Sequence, residues 1–421
     1  MTNQAGSGPD NFTGLAESCL RMTERLLQKY RYRIAGTPEC RQAAHEIAEQ
    51  FRKSCDSVQE EEFLLHPKAL WFVGKAIAVI YLLAAASVIL GGSFMYLGAF
   101  LCLLGLFYGL AQYVFYSRLF DRVFKSAAGC NVIGSLESSD VATRQVVLIG
   151  HHDSPFIFSF LERFQSIAFI RFLLGMLSYA WLCAYSFTAS VQQLLSGGLQ
   201  TLTEIPLWIT VAGLPFALQL FFMISKAPSP GAGDNLNSTS MVASIAQYFR
   251  SERGNGSPLK HTRLVLLSTD GEEIGQRGAI QYVQSHYSQL HTTPTFVLNI
   301  DSVYHYRDLT VLTRDRNFTC KLSDSMISDI CMVASVHGLP LKRRSVPFGG
   351  GGTDAAAFAA AGIKAASIIG MPTSIISKGH LYHTSKDTVE HIEAVAVRAV
   401  LELAAAYIRH VDNQAREHAS G

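Results

Sequence analysis

Hydrophobic and polar positions follow two different rules along this chain. In one part, apolar residues run almost unbroken. No charged residue stands between Lys75 and Arg118, and that stretch divides at Gly91-Gly92-Ser93 into the runs Leu70–Leu90 and Phe94–Tyr116. A second pair, Ile167–Ala189 and Pro206–Ile224, has Glu204 as its single charge between Arg171 and Lys226. Each run approaches the ~20 residues a helix needs to cross the hydrocarbon core. Trp71, Phe72, Tyr113 and Tyr116 sit at run ends, where interfacial aromatics belong, and Lys75 is close enough to an end to snorkel outward. The pattern predicts two transmembrane hairpins, 69–117 and 163–226. Gln192, Gln193 and Gln219 dilute the second pair, so a re-entrant or interfacial hairpin stays open there. Buried helices of a soluble insert are the alternative for all four.

The polar remainder, residues 1–68, 118–162 and 227–421, reads as one discontinuous domain. Leu15–Tyr30, Pro38–Lys53, Ser238–Arg250, Gly278–Ser288, Ser323–Val336 and Thr388–Ile408 are predicted helices. Ser57–Phe63, Gln145–Ile149, Arg263–Leu267, Thr295–Ile300, Leu309–Thr313 and Ala365–Ile369 are predicted strands, several of the continuous aliphatic kind found in buried parallel sheets. Their alternation predicts an α/β fold with a mostly parallel sheet covered by helices on both faces.

Composition sharpens the membrane reading. Only 16% of the 421 residues are charged and 49% are hydrophobic, where a soluble domain carries about 25% charged residues. The net charge of +2 argues against a nucleic-acid partner, which requires a basic surplus. Two hairpins return the polar sequence to one side. Lys68, Lys75, Arg118, Arg122, Lys125, Arg163, Arg171 and Lys226 all lie on that side, and the turns near Gly91-Gly92 and Gln192–Glu204 hold no Lys or Arg. The positive-inside rule then places the polar domain in the cytoplasm. The eight cysteines form no C-x-x-C pair, and Met1–Asn11 contains no apolar signal-peptide core, in keeping with that placement.

Acids and histidines gather where strands end. Gln145–Ile149 leads into Gly150-His151-His152-Asp153, Arg263–Leu267 into Asp270-Gly271-Glu272-Glu273, and Thr295–Ile300 into Asp301. Asp234 follows Gly231-Ala232-Gly233, and Tyr382-His383-Thr384 precedes the last helix. Each has a plain reading by itself: Asp234 as a helix N-cap, Glu272-Glu273 as an acidic first helical turn, His151 as a structural histidine. Together they form an imidazole and carboxylate set suited to zinc, or to cobalt or manganese. The carboxyl ends of strands are where open α/β sheets place their sites.

These motifs resemble the di-zinc aminopeptidases, the family of secreted bacterial leucyl aminopeptidases, glutamate carboxypeptidase II and the transferrin-receptor ectodomain. The likeness runs from Arg33-Ile34-Ala35-Gly36-Thr37 to His391, excluding the hairpins. It rests on H-x-D, G-x-G-D-N, D-G-E-E, N-x-D and Y-H-T-x-x-D-T in that order. The resemblance implies a zinc-exopeptidase-like fold with two zinc ions per chain and a peptide substrate. It assigns His151 and Asp301 to one ion each with Asp234 as the bridge, Glu273 and His383 to the second ion, and Glu272 to the general base. Asp153 would orient His151 from behind, and Asp387 would support the His383 loop. His152 fills a variable position and is not assigned as a ligand. Gly349-Gly350-Gly351-Gly352-Thr353-Asp354-Ala355 departs from the Ser-Asp-His of many relatives and is closer to a related cytosolic aminopeptidase group. Substrate preference is therefore not carried over, and Gly351, Gly352, Asp354 and Tyr382 stand as candidate substrate contacts. The expected activity is a membrane-bound aminopeptidase in contact with lipid. Alternatives are another zinc amide hydrolase (dipeptidase, carboxypeptidase or deacylase) or an inactive membrane receptor or scaffold.

Overall fold

The computed structural model describes residues 9–199, 203–373 and 379–419; the polar start of the chain and part of the predicted turn 192–204 lie outside the described residues. The polar part is organised around one mixed sheet. Its strands are β1 (Ser57–Leu65), β2 (Ala127–Leu136), β3 (Arg144–His151), β4 (Thr262–Thr269), β5 (Thr295–Val303), β6 (Leu309–Leu312), β7 (Lys342–Arg344) and β8 (Lys364–Gly370). They are arranged β1-β2-β4-β3-β5-β8-β6-β7. The central four, β4, β3, β5 and β8, are mutually parallel, and antiparallel pairings join them to β2 and to β6. Val146–Ile149 of β3 and Leu264–Leu267 of β4 are buried, as continuous aliphatic runs in a doubly covered parallel sheet should be. Because these strands run the same way, His151, Thr269 and Asp301 emerge at one edge of the sheet.

Helices cover both faces. α1 (Pro9–Lys29), α2 (Pro38–Arg52), α7 (Asn237–Gly254), α9 (Asp324–Val336) and α10 (Ala394–Ala419) pack on one side; α8 (Arg277–Ser285) and the short helix Ala355–Ala360 pack together on the other. The start of α2 shows why local sequence suffices there. Thr37 accepts the Cys40 N–H at 3.3 Å and Pro38 occupies the first turn, so the orphan donors are capped and φ is preset. The last helix begins at Ala394 rather than Thr388, because Val389–His391 form a tighter 3₁₀ turn first. Two strands escaped the sequence pattern. β2 carries Gly129, Gly134 and Asn131 inside it, and β7 (Lys-Arg-Arg) is exposed throughout.

The apolar runs form α3 (Val73–Leu90), α4 (Phe94–Gly109, continued by a π-helical turn to Val114), α5 (Ser166–Ser196) and α6 (Glu204–Leu218). Four helical segments, Lys68–Leu90, Phe94–Val114, Ile167–Ser196 and Glu204–Phe222, are long and apolar enough to cross a membrane by length and composition. Gly91 and Gly92 take φ of 67° and 55°, which turns the chain between α3 and α4 at a place where a side chain would be strained. α3 packs on α4, α4 on α5, α5 on α6, and α6 returns to α3. Tyr81, Ala84, Ala85, Val88, Cys102 and Leu182 fill the space between them, while Leu83, Phe100, Phe107, Leu177 and Trp208 point outward and are exposed. Gln219 has a partner: it accepts from Arg171 Nε at 3.0 Å and donates to the Arg171 carbonyl at 3.1 Å. The fourth run ends earlier than its hydrophobicity predicts. Ile224–Pro228 leave the helix to pair antiparallel with Phe156–Phe158, so a small ribbon joins the second hairpin to the loops that carry His151 and Asp234.

Candidate active site

Five loops converge at the carboxyl edge of the sheet. β3 delivers His151 and then Asp153. The turn between Gly231 and α7 delivers Asp234. β4 leads into Glu272 and Glu273, β5 carries Asp301, and the loop before α10 carries His383. Gly150 allows the first two to meet: a Cβ there would stand 2.7 Å from the Ser238 carbonyl carbon and the Thr239 nitrogen. The plain readings do not describe these residues. α7 starts at Asn237, three residues past Asp234, and α8 starts at Arg277, so Asp234 does not cap its following helix and Glu272-Glu273 do not form the first turn of theirs.

The side chains fall into two groups around one carboxylate. His151 Nε2 lies 3.3 Å from Asp234 Oδ1 and 3.9 Å from Asp301 Oδ2. His383 Nε2 lies 3.3 Å from Asp234 Oδ2 and 3.0 Å from Glu273 Oε2. The donor atoms of His151, Asp234 and Asp301 could hold one cation, and those of Asp234, Glu273 and His383 another. Glu272 stands beside them, its Oε2 3.9 Å from His151 Nε2. His151 Nε2, Asp234 Oδ2 and Glu273 Oε1 are buried without a hydrogen-bond partner, which buried polar atoms ordinarily have. A dication on each group would satisfy them, and the nitrogen and oxygen donors fit zinc.

Electrostatics point the same way. Burial pushes the carboxyls of Glu272 and Asp301 well above their ordinary range and Glu273 up to about 7. Burial also opposes ionisation of Asp234, but the close approach of the His151 and His383 imidazoles outweighs it and holds this carboxyl low. A cluster of buried acids around two imidazoles is costly by itself and is relieved by bound cations.

Supporting residues fix the loops. Asp153 accepts the backbone N–H groups of Glu272 (3.2 Å) and Glu273 (3.1 Å), and its Oδ1 is 3.3 Å from His151 Nδ1. It therefore sets the glutamate turn as well as the imidazole. Asp387 accepts from Gly233 N at 2.7 Å and Asp234 N at 3.2 Å. Asn235 donates to the Ile300 carbonyl and accepts from Ser302 N, which ties the Asp234 turn to the Asp301 strand. Sequence reasoning gave no role to Arg33. It is fully buried and donates to the carbonyls of His152 (2.8 Å), Gly231 (2.8 Å) and Tyr30 (2.9 Å). Its available signal was an arginine placed directly before the apolar Ile34-Ala35-Gly36 turn.

The candidate substrate contacts divide. Asp354 accepts from Thr269 Oγ1, and Tyr382 stacks on His383 with ring centroids 3.8 Å apart. Gly352 lies against Arg316 and Gln276 with no room for a Cβ. Gly351 donates its N–H to Asn317 Oδ1 at 3.0 Å, so that N–H is engaged within the protein. His152 points away from the two groups, its Nδ1 2.8 Å from Ser268 Oγ, and burial lowers its pKa to about 3. Cys40, His152 and Asp270 lie near one another behind the site, where Asp270 receives the Cys40 thiol and the Cys130 N–H.

An eight-stranded mixed sheet with acids and imidazoles at its carboxyl edge defines a zinc-exopeptidase-like α/β fold. Solved structures with this fold include a glutaminyl cyclase from an Acidobacteriales bacterium (TM-score 0.56, 13% identity, covering 98% of this chain and 99% of that one). A zinc aminopeptidase from Bacillus subtilis gives a TM-score of 0.55 at 15% identity over 94% and 95% of the two chains. An aminopeptidase from Aneurinibacillus sp. strain AM-1 gives 0.54 at 15% identity over 95% of each. No curated protein matches by sequence. Residues 221–408 match the model of peptidase family M28, a likeness that supports a zinc-dependent metallopeptidase. The matched stretch contains Asp234, Glu272, Glu273, Asp301 and His383; His151 and Asp153 lie upstream and reach the site through β3.

Proposed function

We propose that the protein is a membrane-bound di-zinc aminopeptidase. The observation that carries this reading is Asp234, one carboxylate whose two oxygens each stand 3.3 Å from a different imidazole. In this reading His151 and Asp301 hold one ion, Glu273 and His383 the other, and Asp234 both. The ions, when bound, supply Lewis acidity toward a scissile carbonyl and acidify water. Glu272 accepts the water proton and returns one to the leaving amine. Asp153 keeps the His151 ring and both glutamates in register, as residues behind metal ligands do. Adjacent glutamates suit the division of labour because one faces a cation group and the other the space beside it. The domain spans 1–68, 118–162 and 227–421, and the hairpins 69–117 and 163–226 cross the bilayer with the catalytic domain on the cytoplasmic side. The charge asymmetry of the hairpin flanks supports that orientation.

Elemental analysis of the purified chain tests the metal assignment: two zinc-type ions per chain are expected, and a metal-replete protein holding one or none overturns it. A panel of aminoacyl amides with free and blocked N-termini tests the specificity, with cleavage expected for free termini only. Peptides with N-terminal glutamine belong in the panel, since a similar fold serves a glutaminyl cyclase; cyclisation without cleavage would replace the peptidase reading.

A further inference from the structure

A cavity of about 790 Å³ lies among the four apolar helices and reaches the metal-binding side chains, with Glu273 and His383 in its wall. This is the size of a small-molecule site, but its position is unusual, because most of the wall comes from the hairpins. Trp71, Ile77, Leu106, Phe172, Met176 and Phe216 contribute to it. Leu103, Leu110 and Phe187 line it and stay exposed, so it opens onto the apolar flank of the helices. At the catalytic end, Phe158 packs its ring edge-on against His383 with centroids 4.5 Å apart and donates its N–H to the His383 carbonyl. Trp71 meets Phe156 of the same ribbon at 4.4 Å.

Away from the Glu273–His383 end, most polar groups of the wall are already engaged, the buried Tyr81 hydroxyl being an exception. Tyr179 donates to the Cys102 carbonyl at 2.8 Å and Tyr113 to the Gly349 carbonyl at 3.0 Å. Gln219 is taken up by Arg171. An extended peptide entering here would bury amide groups without partners, which native interiors avoid. A single amino-acid side chain would leave most of the volume empty. A long alkyl chain has no polar groups to satisfy and fills such a space at a gain for each buried CH₂.

We infer that the substrate is an amphiphile: an amide bearing a long alkyl tail, with the tail held between the hairpins and the amide at the Glu273–His383 end. This rests on the amide-hydrolase reading of the site and names its substrate class. The tail enters from the bilayer side, so the apolar helices serve as a binding wall in addition to an anchor.

The test uses the zinc-loaded full chain in lipid nanodiscs with two homologous series. One is leucine n-alkylamides, with the tail on the leaving amine. The other is 2-aminoalkanoyl amides, with the tail as the N-terminal side chain. In at least one series, kcat/KM referred to free aqueous substrate should rise about fourfold per added CH₂ until the cavity is full. Gly175→Phe and Leu106→Trp, which place bulk in the cavity, should flatten that rise. Binding is read separately in metal-stripped protein. With Trp181 and Trp208 replaced by Phe, a long-chain amide brominated on a tail carbon a few bonds from the amide should quench Trp71, and Gly175→Phe should abolish the quenching. Cleavage of short amides with flat series and no quenching would overturn the cavity assignment and leave the peptidase reading standing. Quenching without cleavage of any amide would do the reverse. A rise that both bulky variants leave intact would place the tail in bulk lipid and also overturn the inference.

Discussion

Glu272 and Glu273 are neighbours in sequence with different proposed roles, and Asp153 holds both of their backbone N–H groups. That shared anchor makes the pair separable by mutation. Glu272→Gln is expected to keep the fold and the bound metal yet lose about 10²–10⁴-fold in turnover, as general-base removal does. Metal content and kcat on the same preparation check this, and near-normal turnover would reassign the base. Arg33 predicts the opposite behaviour. Arg33→Ala removes three charge-assisted hydrogen bonds from buried carbonyls and should cost about 3 kcal/mol or more. Its zinc affinity should fall although no ligand has changed; a titration with a competing chelator measures this, and unchanged affinity would make Arg33 a purely structural residue. The sequence revealed the residues that the structure gathers into the two groups, because each stands in a motif of fixed spacing. It concealed Arg33, whose partners are carbonyls, and a carbonyl acceptor leaves no mark on residue identity.

The aliphatic strands β3, β4 and β5 could be read directly from the sequence, since doubly buried strands need uninterrupted apolar residues. β2 could not, because its glycines are there for close packing: a Cβ on Gly129 or Gly134 would meet Leu65 or Cys55 within 3 Å. β7 is exposed and charged and has no pattern to read. The hairpins were evident, yet their attachment to the domain was not. Hairpin one leaves through Tyr116 and Ser117, whose carbonyls accept from Arg277, and Arg277 also pairs with buried Asp121 at 3.0 Å. Arg277→Ala strands that aspartate and should cost about 3–5 kcal/mol, read as a lower midpoint of thermal unfolding. Orientation is checked by cysteine labels at Ser93, Gly197 and the C-terminus. Ser93 and Gly197 should react from outside and the C-terminus from the cytoplasm; an external C-terminus would reverse the topology.

For the molecule as a whole, the buried acids make stability a function of metal supply. Asp234, Glu272, Glu273 and Asp301 fall into overlapping groups with His151 and His383, so on the proposed reading metal binding stabilises the folded chain by mass action. With free zinc at about 1,000 times Kd, each site contributes about 4 kcal/mol. Chelation should therefore lower the midpoint of thermal unfolding of the catalytic domain, and zinc should restore it; an unchanged midpoint would remove the metal from the fold's energetics.

Asp234 and His151 stand on opposite sides of the second hairpin in sequence and touch in space. With that hairpin spanning the bilayer as proposed, the two can meet only after the chain has crossed outward and come back. A copy whose hairpin inserts incompletely would strand the bridging carboxylate across a lipid barrier from its imidazole. Such a copy would keep Asp234, Glu273 and His383 together but leave His151 apart from them, so on the proposed reading correct insertion of the hairpin is a precondition of a complete centre.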